Sequence, residues 1–351
     1  MIKVSFIIPV YNAAPFIERC LNSIFALGIP EEQMEIICVD DCSPDNTCEV
    51  IERLRAERIN ELTKQGLSTE RANEICSIVL LRHEVNKRQG GGSNTAIRYA
   101  QGDYAVFMDQ DDEILPYDLQ GQIEYMQQND LELLLGRVVC VGQNGTKSYW
   151  AQEDKGSPIM TGPQFFRDEL INKVAFGAVW MGIYKMELLK RTDPFVENMI
   201  YEDTDWCWKC CYNAKRVQFK LLDIYQYHNN PISSSHNVNA QKLEWKVRLS
   251  LRVYEWAQQV TDEKEAVQFA AEDFYTWNML GLSALWKFPF SERRKFYTSF
   301  TDEEYRIFHS WPTRYWQMYA LKYPTLTQMA LCFLHPCYWL YDKVKGLRMR
   351  D

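Results

Sequence analysis

The chain has 351 residues, of which 46% are hydrophobic and 25% are charged. This is enough apolar material for one large domain with an appendage, or for two domains. The composition excludes disordered, collagenous and coiled-coil proteins. The formal net charge of -8 also excludes a protein held mainly by nucleic-acid phosphates, which needs a basic surface, so no nucleic-acid partner is expected.

The start of the chain enters an apolar, strand-like run at once, with neither a leading basic segment nor a small-residue cleavage site. Secretion is therefore not expected. The 11 cysteines are scattered, and several, such as Cys20, Cys38 and Cys140, stand inside apolar runs as small core residues do. Free thiols in a reducing compartment fit this pattern, so we predict a cytoplasmic protein.

The first third of the chain alternates β-branched apolar runs with helical stretches, which is typical of parallel strands joined by crossover helices. Phe16, Cys20 and Ile24, for example, recur at fourfold spacing on one helical face. We therefore predict an α/β fold with a mostly parallel, buried sheet. The predicted strands are 3–10, 35–40, 77–81, 104–108 and 131–141, and the predicted helices are 15–27, 46–59, 90–100 and 116–128.

Composition changes mark the remaining segments. Residues 55–76 are charged and weakly periodic, which predicts an exposed helical extension. Residues 142–163 are rich in Gly, Asn, Ser and Pro and predict a loop or short hairpin. Long helical stretches rich in Trp and Tyr then take over, so we predict an α/β domain over 1–238 and a helical C-terminal module over 239–351.

Three acids, Asp109, Asp111 and Asp112, follow directly on the apolar strand 104–108. This places them at the carboxyl edge of an open parallel sheet, where ligands bind. Carboxylates packed this densely repel one another, and Mg²⁺ or Mn²⁺ would join them and complete its shell with substrate phosphate oxygens. That chemistry indicates a nucleotide diphosphate. The alternative is a solvated acidic turn in which an Asp caps the next helix.

Two further strand ends converge on the same edge. Asp40 and Asp41 follow the second strand, and residues 9–12 (PVYN) end the first. An acid there accepts a hydrogen bond from a base N–H or a ribose hydroxyl, and Tyr11 offers a ring for stacking against the base.

Five motifs occur in order on these elements: residues 4–12 (VSFIIPVYN), 39–45 (VDDCSPD), Asn86-Lys87 with Asn94 downstream, 102–104 (GDY) and 109–112 (DQDD). Together they resemble the family 2 glycosyltransferases of GT-A fold, over the first two thirds of the chain. The resemblance implies an inverting enzyme that uses a sugar nucleotide, most often a UDP-sugar, and a divalent metal, Mn²⁺ or Mg²⁺.

The resemblance also assigns site residues by position. Asp41 recognises the uracil, Asp109 and Asp111 form the Asp-x-Asp element, and Asp111 or Asp112 ligates the metal. The other donor-site residues are Pro9 and Tyr11 around the base, with Lys87 and Asn94 from the third motif.

One departure concerns the residue before Asn94, where this family commonly has Arg and this chain has Ser93. Lys87 and Arg88, or the backbone N–H groups where residues 90–92 enter a helix, would substitute against the diphosphate. The alternative is a flexible glycine loop with solvated bases.

Residues 201–206 (YEDTDW) match the segment that family members place at the start of a helix facing the acceptor. Asp203 is the candidate catalytic base, which takes the proton of the acceptor hydroxyl. The alternative is that Glu202 and Asp203 merely favour a helix N-terminus. Residues 225–228 (YQYH) and 233–236 (SSSH) resemble the segment that closes over the diphosphate, although His228 also suits an ordinary strand end.

Two features outside these motifs have other interpretations. Cys207 and Cys210 form a Cys-x-x-Cys spacing without a second ligand pair, so we expect helix packing rather than zinc. The tail over 313–351 combines aromatic and basic residues, which suits a membrane interface. Its apolar stretch around 326–340 is interrupted by His335-Pro336 and is too short to span a bilayer. Packing on the catalytic domain, or a homodimer contact, is the alternative.

We therefore predict inverting transfer of a sugar from a UDP-sugar to a hydroxyl of a glycan or lipid-linked acceptor. The resemblance implies surface polysaccharide assembly, in the cytoplasm or at the inner face of the cytoplasmic membrane. Two alternatives stay open: a nucleotidyltransferase that uses the same acids, and a catalytically silent nucleotide- or glycan-binding protein.

Overall fold

A computed structural model of the chain describes residues 3–142, 144–150, 155–170, 177–230, 239–280, 285, 288–304 and 306. The chain divides into two compact units, residues 1–233 and 234–351. The boundary predicted after residue 238 lies close to this division.

The strands of the first unit are β1 Val4–Val10, β2 Met34–Asp40, β3 Ile78–Arg82, β4 Tyr104–Phe107, β5 Glu113–Ile114, β6 Leu133–Val141, β7 Lys147–Tyr149, β8 Gly182–Lys185 and β9 Val217–His228. Its helices are α1 Ile17–Phe25, α2 Thr47–Lys64, α3 Thr69–Ile75, α4 Arg88–Tyr99, α5 Leu119–Gln128, α6 Gly162–Phe165, α7 Met186–Arg191 and α8 Glu202–Asn213. The predicted elements up to residue 141 all form, with bounds that differ by a few residues.

The strands of the described residues form one sheet, in the order β3-β2-β1-β4-β8-β6-β9-β5, with β7 paired to β6. The part from β1 to β4 is parallel, as predicted. Beyond β4 the sheet is mixed: β6 and β9 are parallel, whereas β8, β5 and β7 run antiparallel to their partners. The predicted parallel pairing therefore holds from β1 to β4, and the rest of the sheet departs from it.

The order β2-β1-β4 brings three parallel strands together with their carboxyl ends at one edge. β1 pairs with β2 up to Val10 and Asp40, and with β4 up to Ile7 and Phe107. β2 is buried along its whole length, as expected for a strand covered on both faces. The loops after these three strands therefore meet at one edge of the sheet.

The charged extension lies at the opposite edge. α2 runs to Lys64 and is followed by α3, and their arginines form ion pairs with the turn before β2: Arg58 with Glu31 and Arg71 with Glu32, each at 2.5 Å. Because this turn precedes the amino end of β2, the helical extension lies away from the acidic edge.

The second unit is described over α9 Ala240–Gln259, α10 Lys264–Leu280 and α11 Phe290–Thr298. Leu243, Val247 and Leu251 are buried on α9, which gives this helix an apolar stripe at fourfold spacing. None of the described helices has the length and apolar character needed to cross a membrane. The tail over 313–351, predicted to contact a membrane, lies outside the described residues.

Candidate active site

The loop after β4 carries the three predicted acids, and Asp112 is the most deeply held of them. Its side chain is 1% exposed. Its Oδ2 accepts a hydrogen bond from the Tyr225 hydroxyl at 2.9 Å, and its Oδ1 accepts one from the backbone N–H of His228 at 2.7 Å. Burial, and then the charges of Asp109 and Asp111, raise the pKa of Asp112 to about 9. These contacts connect the acid loop to β9, and the role of Asp112 as a metal ligand stays a prediction.

Asp109 is held from two sides but stays partly exposed. The Gln89 amide donates to its Oδ1 at 2.5 Å, the Trp180 side chain also bonds its carboxylate, and the Tyr225 hydroxyl accepts from its backbone N–H at 3.0 Å. Burial, and then the charges of Asp111 and Asp203, raise the pKa of Asp109 to about 7.

Asp111 is the third acid of the loop and is also partly exposed. Its Oδ2 accepts from the Asn230 amide at 3.0 Å, and its backbone carbonyl accepts from the Arg19 guanidinium. The Arg19 contact ties the acid loop to α1, and the Asn230 contact ties it to the segment after β9.

Asp109 and Asp111 fit a hard divalent cation, because their repulsion raises the pKa of Asp109 and would be relieved by bound positive charge. No group of three His, Cys, Asp or Glu side chains among the described residues forms a complete metal site. Mg²⁺ and Mn²⁺ do not need one, since one or two carboxylates with substrate phosphates suffice. The chemistry of the donor set therefore fits a cation shared with a ligand.

α8 presents the predicted base at its first turn. Tyr201 before it has a φ of 69°, and the Asp203 carboxylate accepts from the Thr204 N–H at 2.9 Å. Burial raises the pKa of Asp203 to about 6, and burial with the Asp203 charge raises the pKa of Glu202 well above its usual range. The adjacent residues Gln89 and Gly90 of α4 touch both segments, because the Gln89 amide donates to Asp109 and a Cβ on Gly90 would lie 3.0 Å from Cγ of Glu202.

The glycines of α4 allow two close approaches that build this site. A Cβ on Gly90 would lie 2.4 Å from the Val196 carbonyl oxygen and 3.0 Å from Cγ of Glu202. A Cβ on Gly92 would lie 2.8 Å from Cβ of Pro9. The glycine segment is therefore a buried part of α4, which begins at Arg88, and not the flexible loop of the alternative interpretation.

The first N–H groups of the α4 segment are already used within the protein. The N–H of Lys87 donates to Oδ1 of Asp41 at 2.8 Å, and the N–H of Arg88 donates to Oδ1 of Asn86 at 3.2 Å. Nζ of Lys87 lies 3.9 Å from a carboxylate oxygen of Glu197. Of the substitutes suggested for the family's Arg, the Lys87 side chain therefore has an internal partner in this structure, and Ser93 is itself buried.

Asn94 is buried and connects α4 to the segment before α8. Its amide donates to the Phe195 carbonyl at 2.9 Å and accepts from the Phe195 N–H at 2.9 Å. These contacts give Asn94 a positioning role, because they fix the segment that leads to Glu202 and Asp203. The donor-site role of Asn94 stays a prediction.

The predicted base-binding residues lie at the ends of β1 and β2. Asp41 is 2% exposed, whereas Tyr11 is 45% exposed. The Gln110 side chain holds the Tyr11 backbone, accepting from its N–H at 2.6 Å and donating to its carbonyl at 2.9 Å. Pro9 is partly exposed. The Tyr11 backbone is thus held beside the acid loop, and its side chain is exposed.

The aromatic side chains that lie beside the acids were not predicted from the sequence. Trp180 stacks on Tyr225 with ring centroids 4.8 Å apart, and it also bonds Asp109. The sequence carries no signal for Trp180 or Gln89, because neither stands in a motif. The imidazole of His228 bonds Glu113 at 2.6 Å, so it supports the loop, and residues 233–236 lie outside the described residues.

The cysteines of α8 behave as core residues. Cys207, Cys210 and Cys211 are free and buried, and burial raises the pKa of each thiol. The predicted packing of these cysteines agrees with this environment.

Three comparisons place this geometry among known proteins. The sequence model of Glycosyl transferase family 2 matches residues 5–192, more than half of the chain. Uncharacterized glycosyltransferase YibD of Escherichia coli (strain K12) is 26% identical over 250 residues, 70% of this chain and 67% of YibD. A poly(ribitol-phosphate) beta-glucosyltransferase of Bacillus spizizenii is 28% identical over 228 residues, 64% of this chain but only 32% of the relative.

Among solved structures, S. aureus TarS 1-349 in complex with UDP-GlcNAc aligns with a TM-score of 0.63 at 22% identity, covering 91% of this chain and 83% of that one. At that identity the likeness concerns the fold, and it confirms the predicted α/β GT-A class. The family match includes the acid loop and ends before Asp203. The chain therefore belongs to the family 2 glycosyltransferases.

Proposed function

We propose that this enzyme transfers a sugar, with inversion, from a UDP-sugar to a hydroxyl of a glycan or lipid-linked acceptor in cell-surface polysaccharide biosynthesis. The observation that carries the proposal is that α4 touches both segments: the Gln89 amide donates to Asp109 at 2.5 Å, and a Cβ on the adjacent Gly90 would lie 3.0 Å from Cγ of Glu202, the residue before Asp203. Transfer needs one group that accepts the proton of the attacking hydroxyl and another that stabilises the departing diphosphate. The start of α8 and the acid loop supply these two groups.

On the acceptor side, Asp203 takes the proton of the attacking hydroxyl. The acceptor oxygen then bonds the anomeric carbon while the bond from that carbon to the diphosphate oxygen breaks. A base suited to this task has a pKa near the working pH, and the pKa of Asp203, raised to about 6, leaves its carboxylate mostly ionised at neutral pH.

On the donor side, Asp109 and Asp111 would hold the divalent metal. Bound there, the metal would neutralise the charge that grows on the departing phosphate. Asp41 would accept from the uracil, Tyr11 and Pro9 would pack around the base, and Lys87 would add positive charge near the phosphates. Asp112 holds the acid loop against β9 through Tyr225, and Asn94 holds the segment before α8 through Phe195.

The printed names of relatives support the setting. Both the Bacillus spizizenii relative and the Staphylococcus aureus TarS sequence are poly(ribitol-phosphate) sugar transferases, and a TarS structure holds UDP-GlcNAc. This chain spans about a third of the length of either transferase. Membrane contact through the tail and a homodimer stay predictions.

Binding followed by product analysis tests the proposal. A panel of sugar nucleotides is screened by thermal shift with and without Mn²⁺, because a ligand of the folded state raises the melting temperature. We expect stabilisation by UDP-sugars that depends on Mn²⁺, followed by UDP release with a competent acceptor. Release of pyrophosphate would indicate a nucleotidyltransferase, and binding without turnover on any acceptor would favour the silent binding protein.

A further inference from the structure

The Asp41 carboxylate is buried, and its two oxygens differ in the number of hydrogen bonds that they accept. A buried carboxylate needs hydrogen-bond donors, and Oδ1 accepts two of them, from Nδ1 of His83 at 2.8 Å and from the N–H of Lys87 at 2.8 Å. The Asn86 amide also donates to the Asp41 backbone carbonyl at 3.0 Å. Within the part of the chain that the structure describes, Oδ2 accepts no side-chain or backbone hydrogen bond.

His83 stands at the carboxyl end of β3 and is part of a chain of hydrogen bonds. Its Nε2 lies 2.9 Å from the Thr95 hydroxyl, which also accepts from the Arg98 guanidinium at 3.0 Å. In the contact with Asp41 the carboxylate oxygen accepts, so Nδ1 of His83 is the donor, while the Thr95 contact holds the other side of the ring.

This arrangement fixes the rotation of the Asp41 carboxylate. Turning it would break two charge-assisted hydrogen bonds at once, and such bonds are stronger than neutral ones. With Oδ1 occupied, Oδ2 is the one oxygen left to accept from a ligand. It lies at the sheet edge that also carries Pro9 and Tyr11.

We propose that His83 is a specificity-determining residue that positions Asp41 as a single-oxygen acceptor for a ring N–H of the base. The inference rests on the proposed function, in which Asp41 meets the base of the donor. Uracil has an N–H at ring position 3, whereas cytosine has an acceptor there. Asp41 held in this way selects uridine over cytidine nucleotides, because a buried polar group left unpaired rejects the wrong ligand strongly.

Three variants of His83 separate this role from simple packing. His83→Leu removes both ring nitrogens. His83→Asn places an amide near the position of Nδ1, so it keeps a donor for Asp41. His83→Gln places its amide near the position of Nε2, so it keeps the contact to Thr95 but loses the donor.

The experiment measures affinity for UDP and for CDP by calorimetry, with Mn²⁺ present, for the wild-type protein and the three variants. Thermal unfolding without nucleotide checks that each variant is folded. We expect His83→Leu and His83→Gln to lower the UDP-to-CDP affinity ratio roughly 10- to 100-fold, the worth of a hydrogen bond to a charged group. His83→Asn should retain most of the ratio. With a UDP-sugar, KM should rise in His83→Leu while kcat at saturation changes little.

Each other outcome has a definite meaning. An unchanged UDP-to-CDP ratio in a folded His83→Leu variant would overturn the role of His83 while leaving the proposed function intact. Equal loss of both nucleotides would also overturn it, because that is the signature of packing alone. Equal affinity of the wild-type protein for UDP and CDP would refute base selection at Asp41, and binding of neither would refute the proposed function itself.

Discussion

Asn94→Ala removes both hydrogen bonds to the Phe195 backbone, each 2.9 Å long and buried. One N–H and one carbonyl would then lose their partners, at about 1–3 kcal/mol each, so we expect a loss of about 2–6 kcal/mol. At about 2–4 °C per kcal/mol for a domain of this size, the melting temperature should fall by at least about 4 °C. Because the same segment leads to Asp203, kcat should fall as well, by up to ~100-fold for a misplacement of about 1 Å.

Asn73→Ala is the matched control for this prediction. Asn73 is exposed on α3, and its amide also donates to a backbone carbonyl, that of Thr69 at 2.8 Å. Water replaces an exposed contact of this kind, so its loss should cost no more than ~0.5 kcal/mol. Differential scanning fluorimetry and initial rates compare the two variants. Equal melting temperatures for Asn94→Ala and Asn73→Ala would refute the positioning role of Asn94.

Three further predictions concern the acids. Asp203→Asn should keep UDP affinity yet lower kcat by ~10²–10⁴; ordinary turnover with the true acceptor would remove Asp203 as the base. In the wild-type enzyme kcat/KM should rise with pH through about 6, because the base acts ionised and the pKa of Asp203 is raised to about 6; a flat profile from pH 5 to 7 would contradict this. The ligand-free protein should lose stability from pH 5 to 9. The folded state keeps protons on Asp109 and Asp112, whose pKa values are raised to about 7 and about 9, whereas the unfolded chain has already released these protons. A melting temperature that rises with pH across this range would contradict the prediction.

The acidic edge was predictable because its signals are local. Asp41 and Asp109 each follow an apolar strand, and parallel strands bring such positions to one edge regardless of distant contacts. Asp203 was placed at a helix start by the resemblance of residues 201–206 to the family's segment, and α8 does begin at Glu202.

The residues that hold Asp112 and Asn94 in place were not predictable, because they are distant from them in the sequence. The Tyr225 hydroxyl that bonds Asp112 stands 113 positions later, and Phe195 stands 101 positions after Asn94. Nothing in the order of residues indicates that β9 lies under the acid loop, or that β8 runs antiparallel to β4. The sequence therefore could not indicate the structural contacts that Asp112 and Asn94 make in the fold.

The central claim is that Asp109 and Asp111 hold a divalent cation together with the diphosphate of a UDP-sugar. Crystals grown with UDP and Mn²⁺, measured at a wavelength where manganese scatters anomalously, test it most directly. We expect one manganese peak between the carboxylates of Asp109 or Asp111 and the two phosphates, with Asp112 still bonded to Tyr225. Bound UDP with its phosphates and metal away from these two carboxylates would contradict it.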